Sequence, residues 1–227
     1  MEDLTNQKLR RVRRIYSFWG KFSHLYDAQD FVTFFGRPRI IRKKAVEALG
    51  LKKGDKVLEV ACGSGRNFPY LAEAVGREGK IVGFDYSPEM LYAAKRLCRK
   101  NGWVNIKLIR GDAAQLKISE KDFDGVLSVL GVSAIPGWQK AIKRCKGILR
   151  AGGKLVICDA RLFDRALRFL NPAIKLVYSK FAGWDPTKNI PHQMNETFGN
   201  VKFENFNFGA FFIAVSVKKA SRRKSVQ

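Results

Sequence analysis

The chain has 227 residues, 46% of them hydrophobic, which suits one well-buried α/β domain with an extension and is too short for two independent domains. Its 43 lysines and arginines against 20 acidic residues give a net charge of +23, more than solubility requires, so we expect an anionic partner. No apolar run is long enough to cross a membrane, the N-terminus is not signal-like, and the four cysteines are widely spaced, so we expect a cytosolic protein without a metal centre or a disulfide framework.

The first predicted element is an amphipathic helix close to the N-terminus. From Leu9 to Tyr26 apolar residues recur at helical spacing, while arginines and lysines occupy the other faces. This pattern is typical of a basic helix at a membrane interface, and equally of a helix whose apolar face covers a binding pocket. We therefore predict a helical cap or lid over residues 1–45, ahead of the main domain over residues 46–218.

The most informative stretch is Lys56-Val-Leu-Glu-Val-Ala-Cys-Gly-Ser-Gly-Arg-Asn67, which predicts a buried strand, a glycine turn and the start of a helix. The next strand ends at Asp85, about twenty residues beyond the turn, where nucleoside-binding α/β folds place the acidic residue that holds a ribose. A phosphate site is disfavoured, because Phe68 stands where a dinucleotide fingerprint has its third glycine and no Gly-Lys-Ser/Thr follows the turn.

The composition of the turn instead favours S-adenosylmethionine as the cofactor. Gly63 and Gly65 admit a ligand without a phosphate, and Glu59 can orient the loop or meet an ammonium group. The same run resembles motif I of the class I S-adenosylmethionine-dependent methyltransferases. Ala61 stands where that family usually carries its first glycine, and it is a small residue that the motif tolerates.

Later segments resemble the further motifs of the same family. Residues 83–91 resemble the segment after motif I, residues 111–113 the adenine-contacting motif, and residues 123–131 and 149–157 the fourth and fifth strands. The resemblance extends from Tyr26 to Lys218, and it implies that Asp85 binds the ribose hydroxyls and that Met90 lies beside the adenine. The predicted cofactor-binding residues are Glu59, Ala61, Gly63, Gly65, Asn67, Asp85, Tyr86, Met90, Asp112, Ala113 and Ser128.

Short apolar runs alternate with amphipathic ones from Gly54 to Lys218, which predicts an α/β fold with a Rossmann-like, doubly wound seven-stranded sheet. The predicted strands cover residues 56–61, 80–85, 106–110, 125–130, 154–158, 202–207 and 211–218, and the predicted helices cover residues 67–75, 88–101 and 138–149. The last two strands are expected to form an antiparallel hairpin that turns at Gly209 and Ala210. The basic tail, residues 219–227, is expected to be disordered.

Two basic segments favour a membrane surface as the anionic partner. The N-terminal helix is one, and residues 162–181 are the other, where apolar and basic residues interleave and Pro172 is expected to break or kink a helix. Residues 22–27 and 35–39 are also similar to the N-terminal segment of the quinone-biosynthesis C-methyltransferases and the related bacterial phospholipid N-methyltransferases. That resemblance implies a membrane-embedded acceptor for an enzyme bound peripherally to the cytosolic face.

The predicted activity is methyl transfer to a lipid, with the amine headgroup of a phospholipid as the first choice. A prenylated quinone precursor, methylated on carbon or oxygen, and a soluble small molecule are the alternatives. The basic excess also suits RNA. However, Ser128-Val-Leu-Gly131 replaces the Asp/Asn-Pro-Pro-aromatic motif of nucleic-acid amino-methyltransferases, and the chain has no Pro-Cys or Thr-Cys nucleophile pair. An RNA methyltransferase of another type stays open.

Methyl transfer from a sulfonium is an in-line displacement, and a dry pocket that aligns donor and acceptor supplies most of the acceleration. For an amine acceptor, a base near the methyl group removes a proton, and Tyr26 and His192 are the candidate catalytic residues. Arginines suit a lipid phosphate. The candidate substrate-binding residues are Tyr16, Arg37, Arg39, Arg161 and Tyr178.

Overall fold

The computed structural model describes residues 2–21, 36–163, 165–181, 183–207 and 209–220. The helices are α1 (Glu2–Lys21), α2 (Pro38–Leu49), α3 (Phe68–Val75), α4 (Pro88–Lys100), α5 (Trp138–Ile148), α6 (Asn171–Phe181) and α7 (Ile190–Phe198), with 3-10 turns at Val132–Ala134 and Arg165–Leu170. The strands are β1 (Lys56–Val60), β2 (Lys80–Asp85), β3 (Ile106–Arg110), β4 (Phe123–Val129), β5 (Leu149–Ala160), β6 (Lys202–Phe206) and β7 (Phe211–Val217).

The strands form one seven-stranded sheet in the order β3-β2-β1-β4-β5-β7-β6. Neighbours from β3 through β5 are parallel, whereas β7 is antiparallel to both β5 and β6. The predicted Rossmann-like, doubly wound sheet with antiparallel C-terminal strands is therefore confirmed. Val57 and Leu58 of β1 are both fully buried, as expected for a parallel strand with helices on both faces of its sheet.

Two apolar cores separate the sheet from its helices. On one face α2, α3 and α4 pack through side chains such as Ala45, Leu71 and Ala94. On the other face α5 and α7 pack through Ile142 and Met194. The carboxyl ends of the parallel strands are left open along one edge of the sheet, which is where open α/β sheets bind their ligands.

Some elements differ from the sequence-based expectation. β5 begins at Leu149, earlier than predicted, because Leu149 pairs with Phe123 before the register shifts at Gly125. Helices α2 and α7 were not predicted, although Pro38 in the first turn of α2 and left-handed Gly50 after its end are ordinary helix boundaries. The expected division between cap and main domain at residue 46 falls inside α2.

The N-terminal segment is helical, and of the 162–181 segment residues 165–170 form a 3-10 turn and residues 171–181 an α-helix. α1 begins before Leu9 and ends at Lys21, and residues 22–35, with Tyr26 and most of the segment that resembles the lipid methyltransferases, lie outside the described residues. Pro172 lies in the first turn of α6, where proline is tolerated, so it starts a helix there and does not kink one. Of the tail expected to be disordered, residues 221–227 lie outside the described part.

All four cysteines are buried and unpaired. Within the described ranges there is no cluster of histidine, cysteine or acidic side chains that could hold a metal ion. None of the described helices is long and apolar enough to cross a membrane.

Candidate active site

A pocket opens at the carboxyl ends of β1, β2, β3 and β4, between the loops that follow these strands and the N-terminal helix α1. Its lining combines two chemically different sets of residues. The carboxyl ends of β1, β2 and β3 and the loops after them supply polar groups: Glu59 near the end of β1, Asp85 at the end of β2, and Asp112 in the loop after β3. Helix α1 and the chain after β4 supply an apolar wall.

The turn after β1 has the backbone conformation that its glycines make possible. Ala61, Gly63 and Gly65 all have positive φ, at 55°, 53° and 82°. The ring of Phe68 occupies the space beside Gly65, since a Cβ atom on Gly65 would lie 2.5 Å from it. Gly83 is constrained in the same way, with Phe68 2.7 Å from an added Cβ. The ring of the buried Phe68 therefore packs against Gly65 of the turn after β1 and Gly83 of β2, and it fills the position at which a dinucleotide fingerprint has its third glycine.

Asp85 joins the turn after β1 to the turn after β2. Its Oδ2 accepts a hydrogen bond from the backbone N–H of Gly63 at 2.8 Å, and its Oδ1 accepts one from the N–H of Ser87 at 2.9 Å. Burial raises the pKa of Asp85, and these two N–H groups oppose that effect. The carboxylate also lines the pocket, so it has further lone pairs to offer a ligand hydroxyl.

A buried polar network lies beneath the glycine turn. Asn67 Nδ2 donates to Glu59 Oε1 at 2.5 Å, and Asn67 Oδ1 accepts from Arg42 Nη1 at 3.0 Å. Burial raises the pKa of Glu59 to about 8, although the Asn67 hydrogen bond and the Arg42 charge both lower it. The other carboxylate oxygen, Glu59 Oε2, is buried without a hydrogen-bond partner among the described residues. Since Glu59 lines the pocket, it suits a ligand that carries a cationic donor such as an ammonium group.

The loops after β2 and β3 complete the polar part of the pocket. Tyr86, Asp112 and Ala113 line it, and Asp112 Oδ1 accepts from the N–H of Ala114 at 2.9 Å. Met90 is buried directly beneath, with its sulfur 4.0 Å from the position of a Cβ on Gly63. This arrangement suits a flat heterocycle between the two loops.

The chain after β4 closes against the turn after β1. Leu130, directly after β4, has a positive φ of 55°, as has Ala61, directly after the adjacent strand β1, so two non-glycine residues in a disfavoured conformation line the pocket. A Cβ on Gly131 would lie 2.6 Å from the Cβ of Ala61 and 2.8 Å from Ser128 Oγ. Ser128 Oγ is buried without a partner among the described residues. Only a glycine at position 131 allows the two loops to approach this closely.

Helix α1 covers the pocket as the predicted cap would. Leu9, Val12, Arg13 and Tyr16 line it, opposite Ala134, Ile135 and Pro136 from the chain after β4. The helix is held on α4 by a hydrogen bond from Ser17 Oγ to Glu89 Oε1 at 2.9 Å. It also reaches α6, since Arg11 Nη2 donates to the carbonyl of Ser179 at 3.2 Å.

Not every predicted site residue lies at this pocket. Gly65, Met90 and Ser128 lie beside it and do not line it. Arg37 and Arg39 are exposed at the start of α2. His192 and Arg161 line a different cavity, near the start of α7, so the structure does not bring His192 to the cofactor loops. Tyr26 and the side chain of Tyr178 lie outside the described part of the structure.

Two functional contacts were missed by sequence reasoning. Arg42 reaches Asn67 from α2, and Arg13 lines the pocket from α1. Arg42 had a usable signal, because it adjoins Ile41 on the buried stripe of an amphipathic helix and a buried arginine requires a partner. Arg13 had none, since the three arginines around it, Arg10, Arg11 and Arg14, look the same in sequence.

The fold and the pocket are of the kind that S-adenosylmethionine-dependent methyltransferases have. Residues 2–183 match the ubiE/COQ5 methyltransferase family, and the chain belongs to that family. The residues present fit the cofactor: Asp85 can accept from the ribose hydroxyls, and the partnerless Glu59 Oε2 can accept from the ammonium group. Met90 and the Asp112 loop can enclose the adenine.

The chain is similar to several demethylmenaquinone methyltransferases. The protein of that name from Bacillus cereus is 33% identical over 148 residues, which is 65% of this chain and 62% of that relative's length. The one from Anoxybacillus flavithermus is 26% identical over 229 residues, covering 91% of this chain and 94% of the relative.

Solved structures with the same fold are more distant in sequence. A methyltransferase from Thermotoga maritima has a TM-score of 0.67 at 20% identity, covering 92% of this chain and 100% of that one. A phosphoethanolamine N-methyltransferase from Haemonchus contortus, solved with S-adenosylmethionine, has a TM-score of 0.66 at 17% identity, covering 79% of this chain and 52% of that one. At these identities the likeness establishes the fold.

Proposed function

We propose that the protein transfers a methyl group from S-adenosylmethionine to a ring carbon of a prenylated quinol embedded in a membrane. The observation that carries the proposal is the chemistry of the wall formed by α1 and the chain after β4, which we assign as the acceptor side of the pocket because the polar groups on the other strands suit the cofactor. Its described lining is apolar apart from Tyr16 and Arg13, and the only charge it presents is positive. The names of the demethylmenaquinone methyltransferases to which the chain is similar support the same acceptor class.

The charge on the acceptor side distinguishes a ring from an amine. An aromatic ring with an ionised hydroxyl is a strong carbon nucleophile, and the Arg13 guanidinium would stabilise its negative charge. The amine of a phospholipid is protonated in water and would meet Arg13 as a like charge, whereas the adjoining phosphate would be attracted to the same side chain. The phospholipid headgroup expected from the sequence therefore stays as the competing acceptor, with less support from the described residues.

The protein's own contribution to the reaction is binding, orientation and exclusion of water. When bound, S-adenosylmethionine would supply a methyl group on a sulfonium: the methyl would pass to the ring carbon with S-adenosylhomocysteine as the leaving group, and the proton on that carbon would pass to water as the ring becomes aromatic again. Asp85 and Glu59 would hold the two ends of the donor, and α1 would cover the pocket with Leu9 and Val12. Arg13 is an exposed residue that also lines the pocket, so its charge would attract an anionic ring at the pocket entrance.

The test is methyl transfer in vitro from S-adenosylmethionine with a labelled methyl group. Three acceptors are compared: a short-chain prenylated naphthoquinol in detergent, phosphatidylethanolamine vesicles, and RNA. We expect label in the quinol alone, attached to carbon. Transfer to phosphatidylethanolamine or RNA in preference to the quinol would overturn the proposal.

A matched pair of variants tests the role of Arg13. Arg13→Gln removes the positive charge from the pocket, and we expect kcat/KM for the quinol to fall about tenfold. Arg14→Gln changes the neighbouring exposed arginine, which does not line the pocket, and should leave this value unchanged. Equal effects of the two variants would show that Arg13 does not contact the acceptor.

A further inference from the structure

A ridge of exposed apolar side chains runs along the 3-10 turn at Arg165–Leu170 and helix α6. Phe169 and Leu176 are 74% and 71% exposed, and Val177 and Leu170 are 49% and 38% exposed. We call these four side chains the α6 ridge. Large apolar groups that are grouped in this way on a protein surface mark a site of interaction.

Other apolar side chains of the same segment already have their partners. Leu167 and Ile174 are partly buried and pack against the core on the α2–α4 face of the sheet. The segment therefore has two sets of apolar side chains. The partly buried set, Leu167 and Ile174, is sufficient to attach it to the rest of the fold. Packing against the described core of this protein therefore does not explain why the exposed side chains of the α6 ridge are apolar.

The charge around the α6 ridge identifies the kind of partner. Arg168 and Lys175 are exposed beside it, and residues 165–181 contain no acidic residue. Helix α1 adds the exposed Arg10, Arg11 and Arg14, and it is tied to the end of α6 by the hydrogen bond from Arg11 to Ser179. Apolar side chains flanked by basic ones suit the interface of an anionic bilayer, where the apolar groups enter the acyl region and the basic groups meet the headgroups.

The α6 ridge also lies close to the mouth of the pocket. A Cβ on Gly183, just beyond α6, would lie 3.5 Å from Val12 and 3.8 Å from Ile15 of α1. Val12 itself lines the pocket. A surface that binds the bilayer through the α6 ridge would therefore bring the membrane to the helix that covers the pocket.

We propose that the α6 ridge inserts into an anionic lipid bilayer, with Arg168, Lys175 and the arginines of α1 on the headgroups. The membrane contact is independent of which acceptor is methylated. Entry of the acceptor from the bilayer past α1 is a consequence that rests on the proposed function.

The experiment is co-sedimentation of the purified full chain with vesicles of phosphatidylcholine, with and without phosphatidylglycerol, and without any acceptor. The test variant is Phe169→Ser/Leu176→Ser. The matched control is Val104→Ser, which changes a side chain that is 95% exposed on the loop before β3. Both changes are at exposed positions, so both proteins should fold, and circular dichroism verifies that they do.

We expect the wild-type chain and Val104→Ser to bind the anionic vesicles more tightly than the neutral ones. The double variant should lose about tenfold or more in affinity, because two large apolar side chains no longer leave water. Equal binding by the double variant and the control would overturn the proposal. So would tighter binding of the wild-type chain to RNA than to anionic vesicles, or a dimer in solution that the double variant converts to a monomer.

Activity on the short-chain quinol in detergent separates the two proposals. The double variant should keep that activity, since the α6 ridge does not line the pocket. If the wild-type chain binds anionic vesicles but methylates no quinol, the proposed function fails and the membrane surface stands.

Discussion

Asn67 links the buried carboxylate of Glu59 to the buried guanidinium of Arg42, with one hydrogen bond from each end of its amide. Glu59 lies on β1, Arg42 on α2 and Asn67 at the start of α3, so the network connects three elements beneath the cofactor turn. An amide suits this position because it donates to one partner and accepts from the other. The network holds Glu59 in place while leaving its second oxygen for a ligand.

The first prediction concerns this amide. Asn67→Leu keeps the approximate volume but removes both hydrogen bonds, so Glu59 and Arg42 each lose a buried partner. We expect the free energy of unfolding to fall by about 2–4 kcal/mol, measured by urea denaturation. Asn195→Ala, on the exposed side of α7, should change it by less than about 0.5 kcal/mol. A loss at Asn67 no larger than this control would mean that the network contributes nothing to stability.

The second prediction is a pH dependence of cofactor affinity. Because the pKa of Glu59 is raised to about 8, its carboxyl is protonated in the free enzyme at neutral pH. An ammonium group binds the ionised form, so affinity for S-adenosylmethionine should rise with pH by up to about tenfold per unit and level off near pH 8. Calorimetry in buffers of different ionisation enthalpy should detect proton release at pH 7.

Glu59→Gln provides the control for that measurement. Glutamine keeps an acceptor for Asn67 but cannot ionise, so its cofactor affinity should be weaker and nearly independent of pH between 6 and 8. The same slope in both proteins would assign the titration to another group and remove Glu59 from the ammonium site.

The third prediction concerns the contact between Ala61 and Gly131. Ala61→Gly relieves a left-handed conformation and should stabilise the fold by about 1 kcal/mol. Gly131→Ala places a Cβ 2.6 Å from that of Ala61 and should destabilise it. In the double variant that contact is gone, so thermal unfolding should show a coupling energy of about 1 kcal/mol between the two changes. Strictly additive effects would show that the strain lies elsewhere.

The fourth prediction concerns Asp85. Asp85→Ala removes the acceptor for the ribose hydroxyls and should weaken S-adenosylmethionine binding by about 1.5–3 kcal/mol. The same change also frees the N–H groups of Gly63 and Ser87, so unfolding is measured alongside. Asp85→Asn, which keeps one oxygen acceptor, should bind with intermediate affinity. Unchanged affinity in a folded Asp85→Ala protein would exclude a contact between Asp85 and the ligand.

Local pattern was sufficient to determine the central part of this protein. The run from Lys56 to Asn67 predicted β1, the turn and the start of α3, and the strand ending at Asp85 was predicted with its exact bounds. These features depend on periodicity and turn chemistry over a few residues, which are properties of the sequence itself. Because strands and helices alternate along the chain and connections between parallel strands are right-handed, few sheet topologies were compatible with the predicted elements.

Tertiary structure alone decided which distant side chains meet. Arg42 precedes Asn67 by 25 residues and joins it only because α2 packs on the same face of the sheet as α3. Arg13 lines the pocket because α1 lies on α4, whereas the neighbouring arginines do not line it. Histidine is a common catalytic residue, but His192 lies on α7 and lines a cavity other than the cofactor pocket. The physical reason is that packing of helices on a sheet is determined by the sum of many apolar contacts, which no short stretch of sequence contains.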